Sequence, residues 1–354
     1  MIVCSLTRGV DWHTLRSCSL TCRAWLPISR AQLFHSIMIH DSGDLARLSK
    51  LLDASPYIGY YIRRFELNLA NAPSPPNCCF LETILDHLPN VRLLALSGTF
   101  PCADSFVLPQ MSTVSKLVLW GIWFDAVDDL PLLLASMPNA RELDIGAIGM
   151  PDTVSPLGHP SQSRAVCAFN VRKLYVQRCP NVAAYPYLLS SPLHHLRIKL
   201  DDETQFKAFN ALLSDSNAAE TLNTLRLEVW DATLCQDEES PQWCKHLLKQ
   251  CSALRHVHFS AHQSVLWVAT VLSCAPSDLV TISIEGFARQ HKDLERLADV
   301  LDCNVFHCLE RVEMKFLSFS LLAKTISTED VSPSGLQRVF GELHKRGKLV
   351  ILRE

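Results

Sequence analysis

Cationic and aromatic side chains recur at alternate positions of short segments in the middle of the chain. They are Lys173, Tyr175, His195, Arg197, Lys199, Arg226, His256 and His258. Alternate side chains of a β-strand point to the same face, so we expect these residues to form one stripe. Arginine binds carboxylate and phosphate groups bidentately, and the stripe therefore predicts binding to an acidic or phosphorylated protein segment. The alternative is that these side chains are polar because they face water.

The strands that would carry this stripe belong to a repeated six-residue motif. An apolar residue stands at position one, two mostly polar residues follow, and positions four and six are again apolar. The ten copies are 62–67, 91–96, 114–119, 140–145, 171–176, 193–198, 222–227, 254–259, 279–284 and 309–314. Their spacing is irregular, at roughly 27 residues. The alternation over the last residues of each copy predicts a short strand with one buried face.

Amphipathic helical patterns lie between the copies. They cover residues 44–52, 80–88, 128–137, 204–213, 242–249, 264–272 and 292–301. A last helix is predicted over 335–344 and a closing strand over 348–352. One strand and one helix per unit predict an α/β fold, a degenerate leucine-rich-repeat solenoid with parallel strands on the concave face and helices outside. A doubly wound α/β domain is the alternative, but it needs fewer strands and longer apolar runs.

A second motif lies near the N-terminus, where residues 15–25 read Leu-Arg-Ser-Cys-Ser-Leu-Thr-Cys-Arg-Ala-Trp. Helical spacing places Leu15, Cys22 and Trp25 on one face of a single predicted helix, which Pro27 is expected to end or kink. The order of residue types, with a trailing Leu-Phe at 33–34, resembles the C-terminal half of an F-box. The resemblance is closest to the F-box/leucine-rich-repeat proteins of fungi.

This resemblance implies a substrate-recognition adaptor of an SCF-type cullin–RING ubiquitin ligase. In that family the box docks the linker subunit, which connects it to the cullin, and the repeats bind a protein substrate. The residues that match apolar positions of the box, in its internal packing or its docked interface, are Leu15, Leu20, Cys22, Trp25 and Leu26. The family usually opens its box with Leu-Pro-x-Glu and a first helix, whereas only ten residues precede Asp11. We therefore expect a truncated F-box in 1–40 and a repeat solenoid with a C-terminal cap in 41–354.

Two other functions are compatible with these patterns. A leucine-rich-repeat interaction scaffold would bind a partner without docking onto the ligase. An α/β enzyme would need a cleft with titratable groups, but Gly-x-Ser-x-Gly, Walker A, Gly-x-Gly-x-x-Gly and His-Glu-x-x-His are all absent from the sequence. The chain is therefore predicted not to be an enzyme, and any ubiquitin transfer would belong to partner subunits.

Composition sets the remaining expectations. The chain has 354 residues, of which 48% are hydrophobic and 19% charged, so we expect it to fold. A net charge of −3 gives no reason to expect nucleic acid or a membrane surface as a partner. The 14 cysteines include no Cys-x-x-Cys pair, so neither a metal nor a cofactor is predicted. With no secretory leader expected, the predicted location is intracellular, in the cytoplasm and/or the nucleus.

Overall fold

The computed structural model describes residues 12–21, 23–69, 78–98, 108–124, 129–149, 170–179, 188, 191–214, 216–229, 248–261, 265–286, 291–302, 305–316 and 333–352. The chain divides into two compact units, Met1–Asn170 and Val171–Glu354. Each unit is built from parallel strands with helices between them.

The first unit contains five described strands, which pair in parallel in chain order. It opens with α1 (Trp12–Thr21), α2 (Leu26–Leu33), β1 (Ser36–Ile39), α3 (Ser42–Ala54) and a 3-10 helix (Pro56–Tyr61). It continues with β2 (Arg64–Asn68), α4 (Cys78–Asp86), β3 (Leu93–Ser97), β4 (Lys116–Trp120), α5 (Asp129–Ala135) and β5 (Glu142–Gly146). β1 precedes the first motif copy and was not predicted as a strand.

The second unit contains seven described strands, also parallel and in chain order. Its first half comprises β6 (Lys173–Gln177), β7 (His195–Leu200), α6 (Glu203–Ser214), α7 (Ala218–Thr221), β8 (Thr224–Val229) and β9 (His256–Ala261). Its second half comprises α8 (Leu266–Leu272), β10 (Thr281–Gly286), α9 (His291–Asp302), β11 (Arg311–Phe316), α10 (Pro333–Val339), α11 (Gly341–Lys345) and β12 (Leu349–Ile351).

The apolar positions of the motif form the core in every copy. At positions one, four and six of all ten copies, the side chains are at most 4% exposed. Helical residues complete this layer, as in α9, where Leu294, Leu297 and Leu301 are buried at helical spacing. The α/β class, with parallel repeated strands and helices outside them, is therefore confirmed.

Within each unit, backbone hydrogen bonds join successive copies just before the strand. The carbonyl of Arg63, at position two, accepts from the N–H groups of Arg92 and Leu93 in the next copy, at 2.8 and 3.1 Å. The carbonyl of His194 accepts in the same way from Asn223 and Thr224. Parallel strands thus stay in register through the main chain, which explains how the fold tolerates irregular spacing.

A left-handed residue follows the strand in copies two to five. Gly98, Gly121, Ala147 and Arg178 all stand at position eight and have φ of +107°, +63°, +51° and +51°. In the first unit, the N–H of Gly121 donates to the carbonyl of Gly146, which ends the strand of the next copy. A sharp turn at this position therefore leads each chain segment out of the sheet.

The N-terminal segment forms two helices instead of one. α1 ends at Thr21, residues 23–25 form a turn, and Trp25 is the N-cap of α2. Pro27 stands in the first turn of α2, where its missing N–H leaves no hydrogen bond unmade. The prediction that one helix carries Leu15 through Trp25, and that Pro27 ends or kinks it, is therefore wrong.

Most predicted helices are present with small shifts of their ends, namely those over 44–52, 80–88, 128–137, 204–213, 264–272 and 292–301. The segment 242–249 lies largely outside the described residues. The single helix predicted over 335–344 is wrong, because the buried Phe340 adopts non-helical backbone angles between α10 and α11. The predicted closing strand is confirmed as β12. No helix in the described ranges combines the length and apolarity needed to cross a membrane.

Candidate functional site

The predicted stripe lies on the solvent-facing side of the second unit's strands. Positions three, five and seven of β6 to β11 point away from the buried positions, and we call this surface the second open face. It comprises Lys173, Tyr175, Gln177, His195, Arg197, Lys199, Thr224, Arg226, Glu228, His256, His258, Ser260, Thr281, Ser283, Glu285, Arg311, Glu313 and Lys315. All eight predicted substrate-binding residues are among them, and their role in binding stays a prediction.

Strand register brings the central residues of this face together. Arg197 is aligned with Arg226, which is aligned with His258 on the next strand. Neighbouring strands lie about 4.8 Å apart, so the three side chains start as close neighbours. Lys173 and Tyr175 are aligned with His195 and Arg197 at the β6 edge of the face.

Glu228 holds both arginines. Its Oε1 accepts from Nε of Arg197 and from Nε of Arg226, each at 2.8 Å, and lies 2.7 Å from Nη2 of Arg197. The Glu228 side chain is only 9% exposed, while both arginines keep about a third of theirs in contact with solvent. A carboxylate this buried needs paired cations, and in return it fixes the direction of both guanidinium groups. Sequence analysis missed this role, because the contact joins residues 31 positions apart.

Lys199 contributes less to the surface than its sequence position predicts. Its side chain is 10% exposed, and its Nζ lies 4.0 Å from a carboxylate oxygen of Asp201. The register also places it beside Glu228. Lys199 therefore contributes positive charge beneath the surface, and its ammonium group is poorly placed to donate a hydrogen bond to a ligand at the surface.

His258 lies in a polar cluster beside the arginines. Its Nδ1 is 3.0 Å from Oγ of Ser283, and its Nε2 is 3.2 Å from Oγ of Ser260 and 3.9 Å from Oε2 of Glu285. Burial, with the charge of Arg226 next in size, lowers the pKa of His258 to about 4, against the opposing effect of Glu285. The pKa of His195 is also lowered, by burial and then by Lys173. At neutral pH neither histidine adds positive charge to the face.

Two further ion pairs lie beyond the predicted stripe. Lys315 donates to Glu285 at 3.0 Å, and Arg311 lies 2.7 Å from Glu313. Burial acts to raise the pKa of Glu285, but the hydrogen bond and the charge of Lys315 outweigh it and lower the pKa. Extending the count of positions three, five and seven to the last two copies would have found these residues. The face is therefore a network of mixed charges and not a purely basic stripe.

The residues predicted for F-box docking fall into two groups. Leu15 is 1% exposed and forms a small core with Leu33, against which Cys18 and Phe34 pack. Leu20 and Trp25, in contrast, are 81% and 46% exposed.

The two remaining docking residues differ in how far the structure describes them. Leu26 is half-buried, and Cys22 lies outside the described residues. Of the five, Leu15 therefore supports internal packing, while Leu20 and Trp25 are available at the surface.

Three kinds of chemical group matter in the described residues, namely possible metal ligands, thiols and guanidinium groups. Within those ranges, no group of three His, Cys, Asp or Glu side chains is placed to hold a metal ion. Burial raises the pKa of the Cys251 thiol to about 12, so it stays protonated and unreactive at neutral pH. The oriented guanidinium groups of Arg197 and Arg226 can donate hydrogen bonds to an anionic group.

No protein-family model and no curated protein matches the chain. Among solved structures, a crystal structure of a protein from Bacteroides fragilis is similar, with a TM-score of 0.33 and 12% sequence identity. That match covers 99% of this chain and 72% of the other. At this TM-score the likeness carries no argument about fold or function.

Proposed function

We propose that the chain is a non-catalytic recognition protein whose second open face binds an acidic or phosphorylated segment of a protein partner. The observation that carries this proposal is the pair of arginines fixed by Glu228. Each guanidinium has five N–H donors, and Glu228 takes only one edge of each. The remaining donors of Arg197 and Arg226 are held in place before any ligand arrives, which lowers the entropic cost of binding.

The charge of the face supports an anionic partner. Six cations on β6 to β11 stand against three carboxylates, an excess of three positive charges when lysine, arginine and glutamate side chains are counted. The cations are Lys173, Arg197, Lys199, Arg226, Arg311 and Lys315, and the carboxylates are Glu228, Glu285 and Glu313. An excess of this kind attracts acidic segments at long range and makes the interaction sensitive to salt.

We further propose that the N-terminal helices dock the chain onto the linker subunit of an SCF-type cullin–RING ligase, so that the bound partner is a substrate for ubiquitin transfer by other subunits. The F-box resemblance of residues 11–37 is the basis of this proposal. It is supported by the exposure of Leu20 and Trp25, since large apolar side chains at a surface are typical of protein interfaces.

A peptide-binding experiment tests recognition. The probes are a ten-residue peptide with two phosphoserines, its Asp/Glu version and its unmodified serine version, titrated into the full chain. We expect the first two to bind and the serine version not to bind. The double variant Arg197→Ala/Arg226→Ala should lose at least tenfold in affinity, whereas Arg47→Ala, at an exposed pair on α3, should bind normally. Equal binding by both variants would refute the proposal.

Co-purification with the linker subunit from the same source tests docking. We expect the full chain to retain the linker, and Leu20→Ala and Trp25→Ala to reduce its recovery at least fivefold. Leu132→Ala, at an exposed leucine on α5, is the matched control and should behave like the unchanged chain. If the linker is not retained but the phosphopeptide is, the chain is an interaction scaffold without ligase docking.

A further inference from the structure

Two exposed tryptophans lie three residues apart at the end of β4 in the first unit. Trp120 ends β4 and is 39% exposed, and Trp123 follows three residues later and is 48% exposed. Between them, Gly121 has a φ of +63° and Ile122 is 2% exposed. The left-handed turn at Gly121 therefore lies between two exposed indoles, and the buried Ile122 anchors that turn to the core.

Each indole lies over a glycine of the next repeat. A methyl group added to Gly146 would lie 2.2 Å from Cε3 and Cζ3 of Trp120, and one added to Gly149 would lie 2.1 Å from Cε3 of Trp123. Trp120 is aligned with Gly146 in the β4–β5 pairing, and Trp123 forms a parallel bridge with Gly149. Both rings therefore lean across the sheet onto neighbouring backbone and keep part of their surface exposed.

The side chains around Trp120 and Trp123 are apolar in the centre and acidic at the sides. Positions three, five and seven of β2 to β5, together with Trp123, form the first open face. In its middle row, Ala95 and Val118 are aligned neighbours, with Glu66 on one side and Asp144 on the other.

Ion pairs account for both cations of this face. Arg64 pairs with Glu66, and Lys116 with Glu142. Two cations against the three carboxylates Glu66, Glu142 and Asp144 leave one negative charge. This balance disfavours a polyanionic ligand and favours a partner with basic residues.

We propose that the first open face binds a proline-rich segment of a partner protein, in polyproline II conformation and flanked by basic residues. Proline rings pack on aromatic platforms of this kind. One turn of polyproline II advances about 9 Å, and Trp120 and Trp123 are separated by three residues, at most about 10 Å of chain. In this proposal each tryptophan receives one proline of a Pro-x-x-Pro motif, while the net negative charge of the face attracts the basic flanks.

This interaction is independent of the second open face and goes beyond the proposed function. The test uses the full chain and a twelve-residue peptide with two Pro-x-x-Pro motifs and an arginine at each end, followed by titration calorimetry and tryptophan fluorescence. We expect saturable binding with a change in indole emission. The same peptide with glutamates at its ends should bind at least fivefold more weakly.

Variants at the tryptophans locate the interaction. Trp120→Ala and Trp123→Ala should each weaken binding of the arginine-flanked peptide at least tenfold. Tyr60→Ala, at an exposed aromatic residue of the 3-10 helix, should leave binding unchanged. Gly146→Ala keeps both indoles but displaces Trp120, and it too should weaken binding. Circular dichroism should show the same folded state in every variant.

Three results would overturn the proposal: no binding of the arginine-flanked peptide, equal binding by the tryptophan variants, or binding of a linear oligosaccharide at these tryptophans without binding of the peptide. The double variant Arg197→Ala/Arg226→Ala should still bind the proline-rich peptide. Its behaviour separates a failure of this inference from a failure of the proposed function.

Discussion

Arg197 and Glu228 join two successive repeats through side chains, with Nη2 of the arginine 2.7 Å from Oε1 of the glutamate. The same oxygen accepts a hydrogen bond from Arg226, so one carboxylate separates two guanidinium groups that would otherwise repel each other on adjacent strands. Glu228 both orients the two arginines and neutralises part of their charge, so the stability of the second unit and the proposed binding of an anion depend on the same residue.

Replacing Glu228 by glutamine tests this connection. We expect Glu228→Gln to lower the free energy of unfolding by about 1–2 kcal/mol. This is more than the loss of an exposed ion pair because Glu228 is buried, and less than the loss of a fully buried pair because both arginines are partly exposed. The measurement is urea denaturation followed by circular dichroism. Raising the salt concentration should reduce the difference, because the repulsion between Arg197 and Arg226 in the variant is screened.

Glu313→Gln is the matched control for that experiment. Glu313 pairs with Arg311, whose side chain is 53% exposed, and the expected loss is below about 0.5 kcal/mol. Equal losses for Glu228→Gln and Glu313→Gln would mean that the contact of Glu228 with two arginines stabilises the second unit no more than an ordinary exposed ion pair does.

His258 should make stability depend on pH. Its pKa is about 4 in the folded chain against 6.5 in the unfolded chain, so between these values the unfolded state binds more protons. Stability therefore rises with pH across this range and is lost as pH falls from about 6.5 towards 4, by at most about 3 kcal/mol. Denaturation midpoints between pH 5 and 7 measure the slope.

His258→Asn removes this titration and should flatten the slope between pH 5 and 7. His344→Asn, at an exposed residue of α11, is the control and should keep the slope of the unchanged chain. A slope that persists in His258→Asn would assign the pH dependence to another group, with His195 the next candidate because its pKa is lowered too.

The left-handed residues after the strands provide a pair of opposite predictions. Gly121→Ala should destabilise the chain by about 1 kcal/mol through backbone strain alone, because the added methyl group would only reach ordinary contact, 3.9 Å from the backbone N of Gly98. Ala147→Gly should stabilise the chain by up to about 1 kcal/mol, because Ala147 has a φ of +51° and glycine adopts this conformation without steric strain. Thermal unfolding of both variants checks the signs, and a shift in the same direction for both would contradict the explanation.

These contacts show which parts of the structure could be predicted from the sequence. The buried positions of the motif and most helices follow from local periodicity, as Leu94 and Leu96 illustrate. The contact of Arg197 with Glu228 depends on strand register across 31 residues, which periodicity does not report. The left-handed conformation at Ala147 could not be predicted from residue type either. Of the four left-handed residues at position eight, Gly98 and Gly121 are glycines, whereas Ala147 and Arg178 are not. The break between α1 and α2 falls before Pro27, at a turn with no proline or glycine in it.

The contact between β9 and β10 allows a last prediction, about Gly286. This residue is aligned with Ala261, and a methyl group added to it would lie 2.5 Å from the carbonyl oxygen of Ala261. Because the methyl carbon would be bonded to one paired strand and the carbonyl oxygen belongs to the other, the clash cannot be relieved without disturbing the sheet.

Gly286→Ala should therefore cost about 1–3 kcal/mol. Hydrogen exchange should show the loss first in β9 and β10. Gly341→Ala, where the added group meets nothing within 4 Å, is the control and should exchange like the unchanged chain. Unchanged protection of β9 in Gly286→Ala would show that the two strands can separate there at little cost.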